Sequence, residues 1–193
     1  YVDGTLAVEN FTYRSSTALV DLPLSTVVGI APTGGDIIAE FPFTLEQSVD
    51  YVVVASGILN DTTTPFTLLA SVLEQEAEDD ESFALKVLHG VTDAPAVDIY
   101  ANGGLLIENL AYGEFTEYLQ VPAGDYTIDI TAHGAGEAVA SFSAPLTGLG
   151  GGTGVLYASG FLAGVDTDPA FALVLTTPSS YVVELPATET VLD

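Results

Sequence analysis

The segment LKVLHGVTDAPAVDIYANG, residues 85–103, decides the fold of this chain. Two short apolar runs, 85–89 and 96–100, flank the turn residues Thr92–Pro95. The pair Asn102-Gly103 follows, and Asn-Gly favours the positive φ angles of a two-residue hairpin turn. The segment therefore predicts a strand, a turn, a second strand and a hairpin that leads into a third strand.

The residues that follow this segment repeat the opening of the chain. Residues 100–112, YANGGLLIENLAY, align with residues 1–13, YVDGTLAVENFTY, and six of the 13 positions are identical. Further on, Val155–Gly160 aligns with Val52–Gly57. We therefore predict two copies of one unit, of which the first lacks the opening strand pair.

Runs of apolar residues separated by Gly and Pro turns recur at spacings of about 8–12 residues, which is typical of β-sandwiches. The sequence therefore predicts an all-β fold of two tandem Ig-like β-sandwich domains. The predicted boundaries are 1–73 for the first sandwich, 74–81 for an extended acidic linker, 82–177 for the second sandwich and 178–193 for a C-terminal tail.

Alternation of side chains along each strand predicts which residues face the core. In the second copy the predicted core residues are Val97, Ile99, Leu106, Tyr126, Ile128, Ile130, Leu156 and Ala158. In the first copy they are Val28, Ile30, Val52 and Val54.

Charge limits the classes of partner. Two basic residues, Arg14 and Lys86, accompany 27 acidic residues, and the formal net charge is −25. Such a surface repels nucleic-acid phosphates and anionic membranes and attracts cations. The chain also lacks an apolar run long enough to cross a membrane. We therefore expect no nucleic-acid partner and no membrane insertion.

The motif LHGVTDAPAVDIYANG, followed by Tyr112 and by LQVPAGDY at residues 119–126, resembles the DUF4397 family. That family consists of β-sandwich domains of secreted and cell-surface bacterial and archaeal proteins, often in tandem and without an established catalytic role. The resemblance covers residues 83–176 well and residues 1–73 less well, because the first copy has no DAPAVD strand pair. It implies an extracellular or cell-surface protein with a structural or adhesive role.

Catalytic constellations are scarce in this sequence. Only His89 and His133 could act as bases, and neither stands in a Ser-His-Asp or His-Glu-x-x-His pattern. We expect His89 to be a hydrogen-bonded structural residue and His133 to lie in an exposed turn. The chain is therefore predicted to be non-catalytic, with a carboxylate-dependent hydrolase as a distant alternative.

Acidic loops at corresponding places in the two copies are candidate calcium sites, because calcium prefers hard oxygen ligands. The candidate ligands are Asp166 and Asp168 in the second copy and Asp61 in the first, and a solvated turn is the competing interpretation. Asn10 and Asn60 stand in Asn-x-Thr sequons and are candidate glycosylation sites.

The tail offers a strand that the first copy lacks. Its residues 181–185, YVVEL, have the β-branched, alternating character of a donated strand and stand between two prolines. We therefore predict that the tail, through residues 181–185 or 190–192, pairs with the open edge of the first copy near residues 1–11 in a neighbouring subunit, in a head-to-tail homopolymer. The predicted interface residues are Tyr181, Val182, Val183, Leu185, Leu6 and Val8. Two alternatives stay open: the chain is a fragment of a longer protein, or the tail folds back onto its own domain.

These inferences favour a subunit of an extracellular filament assembled by β-strand exchange. The alternative is a cell-surface adhesion module that binds carbohydrate or protein, with calcium as a possible aid.

Overall fold

A computed structural model describes residues 1–165 and 168–190 of the chain, and these residues form fourteen β-strands and no helix. The prediction of an all-β fold is confirmed. Within these ranges, no helix is long and apolar enough to cross a membrane. The strands are β1 (Ser25–Ile30), β2 (Ala39–Thr44), β3 (Tyr51–Ser56), β4 (Thr67–Val72), β5 (Ser82–His89), β6 (Val97–Ala101), β7 (Gly104–Leu110), β8 (Leu119–Pro122), β9 (Asp125–Ala132), β10 (Ala138–Pro145), β11 (Thr153–Ser159), β12 (Ala172–Thr176), β13 (Val182–Glu184) and β14 (Ala187–Thr190).

The second half of the chain, residues 82–190, forms two five-stranded sheets. One sheet has the order β14-β10-β9-β6-β7, and the other has the order β13-β12-β11-β5-β8. Strand β5 runs parallel to β11, whereas the other neighbouring strands run antiparallel. One apolar core, fed by alternate residues of both sheets, lies between them.

The core prediction for the second copy is confirmed. The predicted residues that are buried are Val97, Ile99, Ile128, Ile130 and Leu156. The predicted residues that are half-buried and pack against the same core are Leu106, Tyr126 and Ala158.

The first half, residues 1–73, forms only two two-stranded sheets, β1-β2 and β3-β4. Their pairing reproduces that of β9-β10 and β11-β12, since Val28 opposes Phe41 as Ile128 opposes Phe142. An edge-to-face aromatic contact holds the two sheets together in each half. The ring centroids are 6.0 Å apart for Phe41 and Phe66, and 5.6 Å apart for Phe142 and Phe171.

The segment 6–11, which aligns with β7, forms no strand. Its counterpart β7 is hydrogen-bonded to β6, and in the first half the described residues that occupy the place of β6 are Tyr1 and Val2 alone. Without a partner strand, the backbone of residues 6–11 has no ladder to join. The same missing cover leaves Val28 and Ile30 only half-buried.

The tail requires a correction. We expected Tyr181, Val182, Val183 and Leu185 to pair with an edge at Leu6 and Val8, but β13 pairs with β12 and β14 pairs with β10. Strands β12 and β10 offer open edges within the same half, whereas residues 6–11 form no strand. The structure therefore shows the tail folded back onto its own half, and residues 191–193 lie outside the described residues.

The acidic linker at residues 74–81 exposes its carboxylates, but its backbone is tied to the second half. The Ala77 amide donates to the Gly151 carbonyl at 3.0 Å, and the Ala123 amide donates to the Glu81 carbonyl at 2.7 Å. The linker is therefore docked along the sandwich, which limits how far the two halves can separate.

Candidate functional site

The contact between the two halves, which we call the half-to-half contact, contains both basic residues of the chain. Arg14, from the first half, donates to the Glu184 carboxylate at 2.9 Å and to the Ser159 and Ala170 carbonyls at 3.2 and 2.5 Å. Its side chain is only 18% exposed, and its guanidinium lies 5.0 Å from the ring centre of Tyr13. Arg14 therefore joins the first half to three separate strands or loops of the second.

Lys86 makes the opposite connection, from the second half to the first. Its ammonium donates to the Ser71 hydroxyl at 2.7 Å and to the Val72 carbonyl at 2.8 Å, and it lies 4.5 Å from the ring centre of Tyr118. Burial lowers the pKa of Lys86, while the charges of Glu117 and Glu74 oppose that shift. A cation held in this way belongs to a packed interface, not to a solvated surface.

Two tyrosine–serine pairs cross the half-to-half contact in opposite directions. The Tyr13 and Ser159 hydroxyl oxygens are 2.6 Å apart, and those of Tyr112 and Ser56 are 3.0 Å apart. In the sequence alignment, Tyr13 corresponds to Tyr112 and Ser56 corresponds to Ser159. Each half thus presents the same tyrosine to the same serine of the other, which is the signature of a local two-fold arrangement.

The local sequence explains why the tyrosines project at the same place. Asn10 and Asn109 both have φ near +55°, where asparagine is tolerated better than most residues. Arg14 and Gly113, which follow the tyrosines, also have positive φ angles of 57° and 80°. Two left-handed residues at matching positions give both loops the same course.

The outer face of β5 is also closed off. Phe83, Leu85 and Val87 point into the sandwich core, whereas Ala84, Lys86 and Leu88 alternate with them and are equally buried. A strand that is buried on both faces must be covered by a second layer. The bonds from Lys86 to β4 identify that layer as the first half.

This packing corrects the predicted burial of Val52 and Val54. Both are only half-buried, and they share a face of β3 with Ser56, which bonds the second half. The core-facing neighbour Val53 is 41% exposed, while its counterpart Leu156 is 3% exposed. Val52 and Val54 therefore lie on the outer face of β3, which the second half covers. Val53 lies on the inner face of β3, which lacks a complete sandwich.

The His89 side chain packs against the ring of Tyr112. Its Nδ1 accepts from the Val91 amide at 3.3 Å, so its Nε2 carries the proton that is donated to the Pro95 carbonyl at 2.9 Å. The imidazole meets the Tyr112 ring edge-on, with 6.2 Å between ring centres. The expected structural role of His89 is thus confirmed by its bonds. His133, whose ring is 44% exposed, bonds the buried carboxylate of Asp98 at 2.8 Å.

Burial lowers the pKa of His89 below its ordinary value of 6.5. As the pH falls through about 6.5, His89 takes up a proton in the unfolded chain but stays neutral in the folded chain. The free energy of unfolding therefore decreases below that pH. The variant His89→Gln should therefore lose less unfolding free energy than the parent between about pH 7 and about pH 5. Urea unfolding at both pH values measures this, and the carboxylates contribute equally to both proteins. Parallel pH profiles would contradict the assignment.

The candidate metal ligands Asp61 and Asp168 accept hydrogen bonds from backbone amides of their own loops. The Asp61 carboxylate accepts from the Thr63 and Thr64 amides at 2.7 and 2.6 Å, and these bonds lower its pKa. The Asp168 carboxylate accepts from the Val165 amide at 3.0 Å, while Asp166 lies outside the described residues. In residues 1–165 and 168–190, no three or more His, Cys, Asp or Glu side chains gather closely enough to hold a metal. Calcium binding stays a prediction.

The candidate glycosylation residues both lie on the surface. Asn10 and Asn60 are exposed and have φ angles of 55° and 63°. Their turns leave both side chains accessible, and glycan attachment stays a prediction.

No curated protein and no solved structure matches this chain. The family described as "Domain of unknown function (DUF4397)" matches residues 83–178, which span β5 to β12 and therefore most of the two five-stranded sheets. Through this second half, the chain belongs to the DUF4397 family.

Proposed function

We propose that this chain is a non-catalytic structural protein of the cell exterior, a subunit of a surface filament built from tandem Ig-like sandwiches. The observation that supports the proposal is the half-to-half contact. Its reciprocal tyrosine–serine pairs and its two cations, Arg14 and Lys86, hold the halves in one fixed arrangement.

Electrostatics explains why this arrangement is informative. Residues 1–73 carry eight acidic residues and one basic residue, and the rest of the chain carries 19 acidic residues and one basic residue. Two halves of like charge repel each other. Arg14 and Lys86 both lie at the half-to-half contact, where their positive charges offset the repulsion between the halves. The contact therefore holds the halves rigidly, and a rigid unit suits a protein that transmits force.

Open strand positions in the first half supply a means of assembly. Among the residues that the structure describes, strand β3 is paired on one side only, and a sheet edge of this kind accepts an added strand through main-chain hydrogen bonds. Because the tail is occupied in its own half, the donor in this proposal is a segment other than the tail.

The rigidity can be tested by removing the two tyrosine hydroxyls. The double variant Tyr13→Phe, Tyr112→Phe loses both crossing hydrogen bonds, each worth about 0.5–1.5 kcal/mol. We expect faster proteolysis within residues 74–81 and a larger radius of gyration in small-angle X-ray scattering. Tyr181→Phe, which alters a tyrosine that is 62% exposed, is the matched control and should behave like the parent. Scattering and cleavage unchanged from the parent would argue against a contact that fixes the halves.

Electron microscopy of the native material tests the assembly itself. We expect filaments whose repeat accommodates one pair of sandwiches. Discrete particles of a single chain would overturn the proposed function.

A further inference from the structure

Two strand positions that are filled in the second half are empty in the described residues of the first. In the second half, β5 lies between β11 and β8, and β6 lies between β9 and β7. In the first half, β3 is paired with β4 alone, and β1 is paired with β2 and makes one bridge to Val2. The places that correspond to β5 and to most of β6 therefore have no occupant among residues 1–165 and 168–190.

The hydrogen bonds found at the end of β6 in the second half are also present at the corresponding place in the first half. The Asp3 amide donates to the Val27 carbonyl at 2.9 Å, as the Asn102 amide donates to the Thr127 carbonyl at 2.9 Å. In return, the Val27 and Thr127 amides donate to the side chains of Asp3 and Asn102, both at 2.8 Å. A strand entering this position would thus meet the same hydrogen-bonding frame as β6.

The residues around the empty positions are apolar and uncovered. Phe11 is 57% exposed, while its counterpart Leu110 is 6% exposed. Val53 and Leu156 differ in the same sense. At these two positions the excess exposure lies where a β5–β6 pair would pack, which points to a missing apolar strand pair.

The buried hydroxyl of Thr176 indicates one side chain that the missing strand pair would carry. Ser71 opposes Val52 in the first half, and Thr176 opposes Val155 in the second, so Ser71 and Thr176 are counterparts. Ser71 accepts from Lys86. Thr176 Oγ1 is buried and, within the part of the chain that the structure describes, has no hydrogen-bond partner. By the local two-fold arrangement, the partner of Thr176 would be a donor at the Lys86 position of the missing strand.

We infer that the first half binds a two-stranded segment of a neighbouring polypeptide with the residue pattern of β5–β6. This inference rests on the proposed filament. The first strand is apolar on both faces, runs parallel to β3 and carries a lysine that bonds Thr176. The second strand runs antiparallel to β1 and ends beside Tyr1. The chain's own segment of this pattern, residues 82–101, already fills the second half.

The probe is a synthetic peptide with the sequence of residues 82–101, added to the full chain. We expect saturable binding and slowed hydrogen exchange at β1 and β3, because both strands gain main-chain partners. A scrambled peptide is the control. No binding, or slowed exchange elsewhere on the chain, would overturn the inference.

A double-mutant cycle tests the lysine. The peptide with Lys86→Met should bind the parent chain about tenfold more weakly, since it loses a charge-assisted hydrogen bond. The same peptide change should have little effect on a chain that carries Thr176→Val. Equal losses with both chains would show that the lysine does not reach Thr176.

A fusion of residues 82–101 directly before Tyr1 separates the two sources of the segment. If the fused segment slows exchange at β1 and β3 and the added peptide does not, the positions are filled by polypeptide continuous with Tyr1, and the neighbouring-chain inference is wrong. Filaments seen without peptide binding would overturn this inference alone. Peptide binding without filaments would overturn the proposed function.

Discussion

The variant Phe83→Ala should lower the unfolding free energy of the second half by about 3–5 kcal/mol, the usual cost of truncating a buried phenylalanine. Phe83 is 1% exposed and lies in β5, at the centre of a five-stranded sheet. A Cβ atom at Gly154 would lie 3.0 Å from the end of its ring, so the ring fills the space beside β11 completely. Alanine would therefore leave a cavity between the two sheets. Urea unfolding followed by tyrosine fluorescence measures the loss.

Phe11→Ala is the matched control for Phe83→Ala. Phe11 is 57% exposed, and truncating an exposed side chain changes stability by no more than about 0.5 kcal/mol. A loss at Phe11 as large as that at Phe83 would contradict the open first half described above. In the presence of a bound β5–β6 segment, the control should become sensitive, since Phe11 would then be covered as Leu110 is.

Local pattern was sufficient for most of the second half. Apolar and polar residues alternate along β6 and β9, and a period of two indicates which residues face the core. Turn chemistry at Thr92–Pro95 and at Asn102-Gly103 separated the strands correctly. His89 could be assigned a structural role because a single histidine inside an apolar strand needs bonds to its backbone surroundings.

Partners of strands and second layers could not be predicted in the same way. The tail was correctly read as a strand, but residues 181–185 carry no information on which edge they join. The predicted core burial of Val52 and Val54 is wrong because β3 is almost entirely apolar. Its sequence therefore does not indicate which of its two faces points to the core. The packing of the halves against each other includes contacts between residues more than 100 positions apart in the sequence, such as Tyr13 with Ser159.

The half-to-half contact did leave a signal in the sequence. Tyr13 and Tyr112 are identical in the aligned copies, and so are Ser56 and Ser159. Arg14 and Lys86 are the two basic residues of a chain with a net charge of −25. Rare cations in an acidic chain are candidates for buried contacts, because an exposed cation would gain little from a fixed position.

The variant Gly160→Ala should weaken both the fold and the half-to-half contact. Gly160 has a φ of +96°, and a Cβ atom there would overlap the Ala170 carbonyl. Left-handed strain costs about 1–2 kcal/mol, and displacing a packed backbone group costs about 1–3 kcal/mol more. The Ala170 carbonyl also accepts from Arg14, and Ser159 precedes the glycine, so any shift reaches both contacts. We expect a loss of about 2–5 kcal/mol in urea unfolding and faster cleavage within residues 74–81.

Gly134→Ala separates strain from overlap. Gly134 has a φ of +76°, and a Cβ atom there would meet nothing within 4 Å. Gly134→Ala should therefore cost only the left-handed backbone strain, about 1–2 kcal/mol, and leave cleavage of the linker unchanged. Equal losses for the two variants would mean that the loop at Ala170 yields freely. In that case the bond from Arg14 to that carbonyl would add no rigidity, and the fixed arrangement of the halves would depend on the other bonds of Arg14, on Lys86 and on the tyrosine–serine pairs.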